Sequence, residues 1–321
     1  MMDKPLVITS SPHLHCGMNT RSIMLDVLIA LLPAAVASVW LFGWQALLVQ
    51  VVCLVTCALA EFICRIVMKR DQTVGDLSAL VTGLLLAFNL PVSIPLWQAA
   101  LGGVVAIVVV KQMFGGLGQN FVNPALIGRI VLMGSFPETM ARWTNPFAWN
   151  GADAVSSPTP LAVMGDTEVS VSTVYSLPEM LFGIRPGCIG ETCAVALLLG
   201  GVYLVARHVI SPLIPLTYIG TVFVLTWLLG QNPVYQVLSG GLLLGAIFMA
   251  TDYTTSPLTK SGKAVFAVGC GLLTVLIRMQ GSLPEGVSFA IIIMNILVPL
   301  IERVARPLPF GEKRRLRHEK A

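Results

Sequence analysis

The chain of 321 residues is 55% hydrophobic and only 11% charged, with a mean hydropathy of +0.82. Soluble domains carry roughly 25% charged residues, so this composition excludes an ordinary water-soluble globule. A formal charge of +4, with no stretch in which basic residues alternate with aromatic ones, excludes a nucleic-acid binder as well.

A hydrocarbon core about 30 Å thick takes roughly 20 apolar residues per helical span, so ten spans would use about 200 residues and leave about 120 for loops and tails. The apolar runs in chain order are 24–44, 46–68, 77–90, 94–110, 121–136, 188–206, 213–229, 234–250, 264–277 and 287–301. Ahead of the first, the polar segment lacks the basic start, short apolar stretch and small-residue cleavage site of a signal peptide, so that span is expected to be retained. Several runs are shorter than a bilayer is thick and end on Gly, Pro or Asn, as at Asn89-Leu90-Pro91, Gly115-Gly116-Leu117-Gly118 and Asn123-Pro124. Short, interrupted segments in corresponding places of two halves point to discontinuous helices around a midplane site.

The halves correspond. Gly83-Leu84-Leu85-Leu86-Ala87 echoes Gly241-Leu242-Leu243-Leu244-Gly245, Met113-Phe114-Gly115-Gly116-Leu117 echoes Met279-Gln280-Gly281-Ser282-Leu283, and Lys111 and Arg278 hold nearly equivalent places. Each unit holds five spans, an odd number, so the second copy enters the membrane from the opposite side. The expected fold is an all-α membrane protein of about ten helices in two inverted five-helix repeats with short broken helices. If ten helices alternate, Lys4, Arg21, Arg65, Lys69, Arg70, Lys111, Arg207, Lys260, Lys263 and the tail from Arg303 to Lys320 fall on one side, which is then the cytoplasm. The organisation expected is a cytoplasmic N-terminal segment 1–22, a first repeat 23–136, an external loop 137–187, a second repeat 188–301 and a basic cytoplasmic tail 302–321.

Little in the chain resembles a metal site. Cys16, Cys53, Cys57, Cys64, Cys188, Cys193 and Cys270 form no CxxC pair and read as small apolar fillers. His13, His15 and Cys16 lack a fourth ligand and zinc spacing and read as a contact surface. The run from Gly115 to Asn120 follows no strand, so its glycines read as a tight turn and not a phosphate cradle. Ionisable residues inside spans are functional candidates by default. Asp26, Glu61, Asp76, Lys111, Arg129, Glu191, Asp252 and Arg278 qualify, most of them near span ends where snorkelling or a helix terminus lowers the cost. Glu61 lies deepest in a run and Asp252 where the repeat breaks its helix, which makes these two the candidates for an ion pathway.

Residues 150–161 combine small side chains, hydroxyls and one acid, and by themselves read as an exposed turn. Their spacing, Asp153-x-x-Ser156-x-x-Thr159-Pro160-Leu161, resembles the site at which membrane flavoproteins carry FMN through a phosphoester to a threonine hydroxyl. The whole chain resembles the RnfD/NqrB family. The likeness is carried by Ser11-Pro12-His13-Leu14-His15, Gly75-Asp76-Leu77-Ser78-Ala79-Leu80-Val81-Thr82-Gly83, Phe88-Asn89-Leu90-Pro91 and the run from Lys111 to Asn120. In the second half it includes Gly190-Glu191, the run from Ala250 to Pro257, and Glu285-Gly286-Val287-Ser288-Phe289-Ala290 with Asn295.

The resemblance implies a flavoprotein subunit in a bacterial inner membrane that passes electrons within an Rnf-type complex coupling ferredoxin and NAD to Na+ or H+ movement. It implies covalent FMN on Thr159, with Asp153 and Ser156 completing the motif, and a further riboflavin by analogy with the quinone-reductase branch. Implied partners are the other Rnf subunits, including a second covalent flavoprotein and iron–sulfur subunits, a flavin transferase for maturation, and membrane lipid. One departure stands out: Ser157-Pro158 replaces the Gly-Ala of the family motif, and a proline there fixes its own φ and biases the residue before it toward extended backbone. The rival readings are the B-type subunit of a Na+-translocating NADH:quinone reductase and a channel or secondary transporter without flavin. The topology is directly testable. A cysteine placed at Ser170 is expected to react with an impermeant thiol reagent in intact cells and one placed at Glu312 to stay protected; the reverse pattern would overturn the ten-span arrangement.

Overall fold

The computed structural model describes residues 19–148, 158–165, 171–280 and 286–305, and its described elements are helical. Each apolar run of the sequence lies largely in helix. Helices α1 (Thr20–Phe42) and α2 (Trp44–Val67) are joined at Gly43, whose φ of 71° lets the chain reverse within one residue. A 3-10 turn (Val74–Asp76) leads into α3 (Ser78–Phe88), and α4 (Leu96–Val104) widens without a break into a π-helix (Val105–Gln112). Helix α5 (Pro124–Ser135) begins at Asn123, whose side chain accepts the Ala125 N–H at 3.1 Å while Pro124 fills a position that needs no donor.

Among the described residues, the hydrophilic connection contains four short helices: α6 (Pro137–Met140), α7 (Pro160–Gly165), α8 (Val171–Val174) and α9 (Leu177–Phe182). The second half continues with α10 (Ala194–Ala206), α11 (Leu213–Leu228), α12 (Pro233–Leu238), α13 (Leu242–Leu244), α14 (Lys260–Gln280) and α15 (Gly286–Val304). Helices α1, α2, α14 and α15 are long and apolar enough to cross a bilayer; the other apolar helices are shorter.

The run 234–250 is not one helix. It divides into α12 and the pair of α13 with a π-helix (Gly245–Met249), because Gly240 and Gly241 take positive φ of 63° and 65°. At the break the Arg278 guanidinium donates to the carbonyls of Gln236 (2.7 Å), Ser239 (2.9 Å) and Gly240 (3.3 Å), replacing helix donors that the turn removes. The break after α3, at Phe88-Asn89-Leu90, is satisfied from across the chain: the N–H groups of Ile189 and Gly190 donate to the carbonyls of Leu90 and Phe88, each at 3.0 Å.

One contiguous apolar core draws on both halves, with Leu31, Phe88 and Leu126 joined to Tyr218, Leu244 and Phe266. The pairings α1 with α10 and α5 with α15 bridge the halves, while α2 with α3 and α11 with α14 pack within them. Large apolar side chains also cover the outside. Trp40 is 62% exposed and Val202 66%, as expected of helices solvated by lipid. Close crossings rely on small residues: a Cβ at Gly83 would lie 2.8 Å from the Cys53 carbonyl oxygen on α2. Gly83→Ala is therefore expected to cost about 1–3 kcal/mol by forcing α2 and α3 apart. Gly220→Ala, with nothing within 4 Å of the added carbon, should leave stability unchanged or slightly raised; unfolding of both variants in detergent measures the difference.

Candidate functional site

Glu61 sits in the last third of α2 and is fully buried. A carboxylate there must be neutralised and hydrogen-bonded or it costs several kcal/mol, and two other segments supply what it needs. Lys111 Nζ reaches Glu61 Oε2 at 2.9 Å, while Glu61 Oε1 accepts from Thr73 Oγ1 at 2.8 Å and Gln112 Nε2 at 3.0 Å. Lys111 and Gln112 are the last two residues of the π-helix and both turn toward one carboxylate. The wider i→i+5 helix makes that pairing possible, since it rotates less per residue than an α-helix. The network continues from Lys111 Nζ to Ser78 Oγ (2.6 Å) and from Ser78 Oγ to Asp76 Oδ1 (2.5 Å), which also accepts the Ser78 N–H at 2.9 Å. Arg65, one turn beyond Glu61 and buried, lies against Gly116, whose φ of 107° and missing Cβ make room for the guanidinium.

Asp252 follows the second π-helix and is half-buried. Its carboxylate accepts Thr254 Oγ1 at 3.1 Å and Thr255 Oγ1 at 3.3 Å. It is not bonded to Glu61. The two sites are connected instead by a cavity of about 90 Å³ whose wall includes Ser78, Lys111 and Asn123 from the first half and Phe248, Thr251 and Asp252 from the second.

The other ionisable candidates make contacts that tie helices and loops together. Asp26 accepts Tyr203 Oη at 2.9 Å and Arg207 at 3.3 Å, tying α1 to α10. Arg129 donates to Asn89 Oδ1 at 2.8 Å and to Cys188 Sγ at 3.5 Å. Glu191 is buried, and its carbonyl accepts the buried Arg185 guanidinium at 3.1 Å. Sequence reasoning did not single out Arg185, Thr73, Ser78 or Gln112 as site residues. Only Arg65, four residues after Glu61 on the same helix face, carried a local signal. Among the described cysteines, Cys53, Cys57, Cys188 and Cys270 are buried, and none forms a disulfide among the described residues.

Of the flavinylation motif, Asp153 and Ser156 lie outside the described residues, as do His13, His15 and Cys16. Thr159 is described, and it is not on an exposed turn. It immediately precedes α7, with 9% of its surface exposed, and its Oγ1 accepts the Ala162 N–H at 3.3 Å. Its burial follows from α7 docking on the second half: Val163, Val171, Met180 and Tyr235 form a small apolar cluster. The neighbouring Pro158 carbonyl accepts Tyr175 Oη at 2.9 Å, and burial pushes that phenol up from its ordinary value.

A model of the NQR2, RnfD, RnfE family matches residues 7–311. The chain belongs to this family. It is 44% identical to the D subunit of the Na(+)-translocating ferredoxin:NAD(+) oxidoreductase complex of Acetobacterium woodii, over 97% of each chain. It is 42% identical to the D subunit of the proton-translocating ferredoxin:NAD(+) oxidoreductase complex of Clostridium ljungdahlii, over 96% of each. The D subunit of an Escherichia coli ion-translocating oxidoreductase complex is 36% identical over 96% of this chain and 99% of that one. In this family member the Glu61–Lys111 pair makes a stability test available. Lys111→Met strands a buried carboxylate and is expected to cost about 3–5 kcal/mol, most of it recovered in the double variant Glu61→Gln/Lys111→Met; a double-mutant cycle on detergent unfolding reads the coupling.

Proposed function

We propose that the chain is the membrane flavoprotein subunit of an Rnf-type complex that transfers electrons between ferredoxin and NAD and couples them to Na+ or H+ translocation. The observation that carries this reading is near-full-length similarity to D subunits of such complexes. The same similarity favours the Rnf branch over the quinone-reductase branch and over a carrier without flavin. Partners on this reading are the remaining subunits, a second covalent flavoprotein and iron–sulfur proteins among them, with a flavin transferase acting during maturation.

We place FMN on Thr159 as a phosphoester, with Asp153 and Ser156 as the transferase's recognition residues. The threonine fits chemically: its Oγ1 accepts a backbone N–H and, among the described residues, donates to nothing, so forming the ester breaks no hydrogen bond to any of them. Its low exposure means that α7 must lift from the Tyr235 cluster for the hydroxyl to be reached. Bound there, the isoalloxazine supplies one- and two-electron redox chemistry; the chain supplies the tether and the docking surface. Riboflavin is not assigned to the cavity between the halves, since about 90 Å³ is well below the roughly 300–1,000 Å³ of a small-molecule pocket.

We further propose the ten-span inverted repeat in a bacterial inner membrane, with both termini cytoplasmic and the flavin loop external. Two contacts support it. Lys111 reaches Ser78 at the start of α3, and Arg278, its sequence counterpart, reaches the Ser239 and Gly240 carbonyls just before α13.

Thr159→Val removes the nucleophilic oxygen at nearly constant shape. In complex made with a working transferase, in-gel flavin fluorescence of this subunit should vanish and electron transfer should fall by orders of magnitude while assembly persists. A Val variant that stays fluorescent while Ser156→Ala or Ser157→Ala goes dark moves the acceptor; a dark wild type removes the flavin from this subunit.

A further inference from the structure

The Glu61 site has the donors of a cation site and is occupied by the chain's own cation. Among the described residues, Lys111 Nζ is held by two oxygens, Glu61 Oε2 at 2.9 Å and Ser78 Oγ at 2.6 Å. Beside it, Gln112 is fully buried and its Oε1 meets no donor among the described residues, although its amide is fixed on Glu61 through Nε2. A buried acceptor left unsatisfied costs about 1–3 kcal/mol, and an oxygen so placed beside a carboxylate favours a cation or a proton donor. With Glu61 and Lys111 both charged the pair is neutral. Adding a second cation would leave a net positive charge in a low-dielectric interior, so the ammonium would have to leave.

A destination for it exists on the same cavity wall. Asp252 lines that cavity with Thr251 and Thr254, and among the described residues its carboxylate is bonded to hydroxyl and backbone N–H groups and to no cation. The cavity, about 90 Å³, has room for an ammonium head and several waters. Lys111 also stands on a π-helix of eight residues, a conformation that is rare at that length and recurs at functional sites; return of a single turn to α geometry would swing its side chain around the helix.

We propose that the Lys111 ammonium is a tethered stand-in for a monovalent cation at Glu61, and that it exchanges across the cavity to Asp252 when a sodium ion or a proton takes its place. The proposal rests on the ion-translocating reading above and assigns that reading a cation site and its competitor. Charge is conserved through the exchange: one cation enters the Glu61, Ser78 and Gln112 oxygens as one ammonium moves to Asp252. Asp76, bonded to Ser78, and Arg65, on the helix of Glu61, are the other charged groups at the site; they stay in place.

The test is equilibrium binding of radioactive sodium to the whole detergent-solubilised complex. A parallel arm uses sodium-free choline buffer and follows the pH midpoint of the protonated-carboxyl infrared band assigned with Glu61→Gln. Asp252→Asn removes the destination, so sodium binding should weaken, or the pH midpoint fall, by about tenfold in affinity. Lys111→Gln removes the competitor and should shift the same readout the other way by a similar factor, and in that background Asp252→Asn should have no further effect. If the Gln variant does not assemble, Lys111→Arg carries the test: its guanidinium stays on Glu61, binding weakens, and Asp252→Asn again adds nothing. An equal Asp252→Asn effect with and without Lys111 would make Asp252 a direct ligand and overturn the exchange, as would no response in either arm. Loss of flavin or of electron transfer with this binding pattern intact would count against the flavoprotein reading and leave the exchange standing.

Discussion

A carboxylate shut away from water has to be met by charge and by hydrogen bonds, and Glu61 imposes that requirement on everything around it. The network that meets it draws on Thr73 in the turn before α3, Ser78 at the first position of α3, and the two final residues of the π-helix that extends α4. None of these segments would be stable in its observed form alone. The 3-10 turn ends on Leu77 at a positive φ of 65°, a conformation that a bulky side chain adopts only when its surroundings demand it. The π-helix gives up α geometry over eight residues. Both are held where Lys111 can bridge Glu61 and Ser78.

The same reasoning governs the ends of the short helices. In a hydrocarbon setting, irregular backbone is tolerated only where protein covers it and its polar groups are paired. The break after α3 receives N–H donors from Ile189 and Gly190, and a Cβ on Gly190 would run into Phe88, so this close approach requires glycine. The break before α13 receives the Arg278 guanidinium. Each break is thus completed from a distant part of the chain, which couples helix termination to tertiary docking. The long hydrophilic connection joins this arrangement through Leu161, which packs on Gly240, the residue whose carbonyl Arg278 holds.

Much of the fold was legible because the membrane imposes a strong pattern: the apolar runs became helix, and the Asn89 and Asn123 breaks fell where the sequence placed them. The run 234–250 misled, since its hydropathy is continuous and only the Gly240-Gly241 pair marked a division. Glu61 could be singled out by depth, but its partner Lys111 lies fifty positions away on another helix, and no local period announces such a pair. Thr159 was misread as exposed for a related reason. A segment of small and hydroxyl residues has no amphipathic signal, while Thr159 is covered at the start of α7, whose Val163 packs with Val171 and Tyr235. Side-chain chemistry was readable from the chain, and proximity was not.

The most direct measurement is a high-resolution cryo-electron microscopy map of the assembled complex, frozen in sodium-free buffer near neutral pH. The account calls for Lys111 Nζ in hydrogen-bond contact with both Glu61 and Ser78, at the end of an i→i+5 helix. A Lys111 side chain directed away from Glu61, with that carboxylate paired to another cation or open to water, would contradict it.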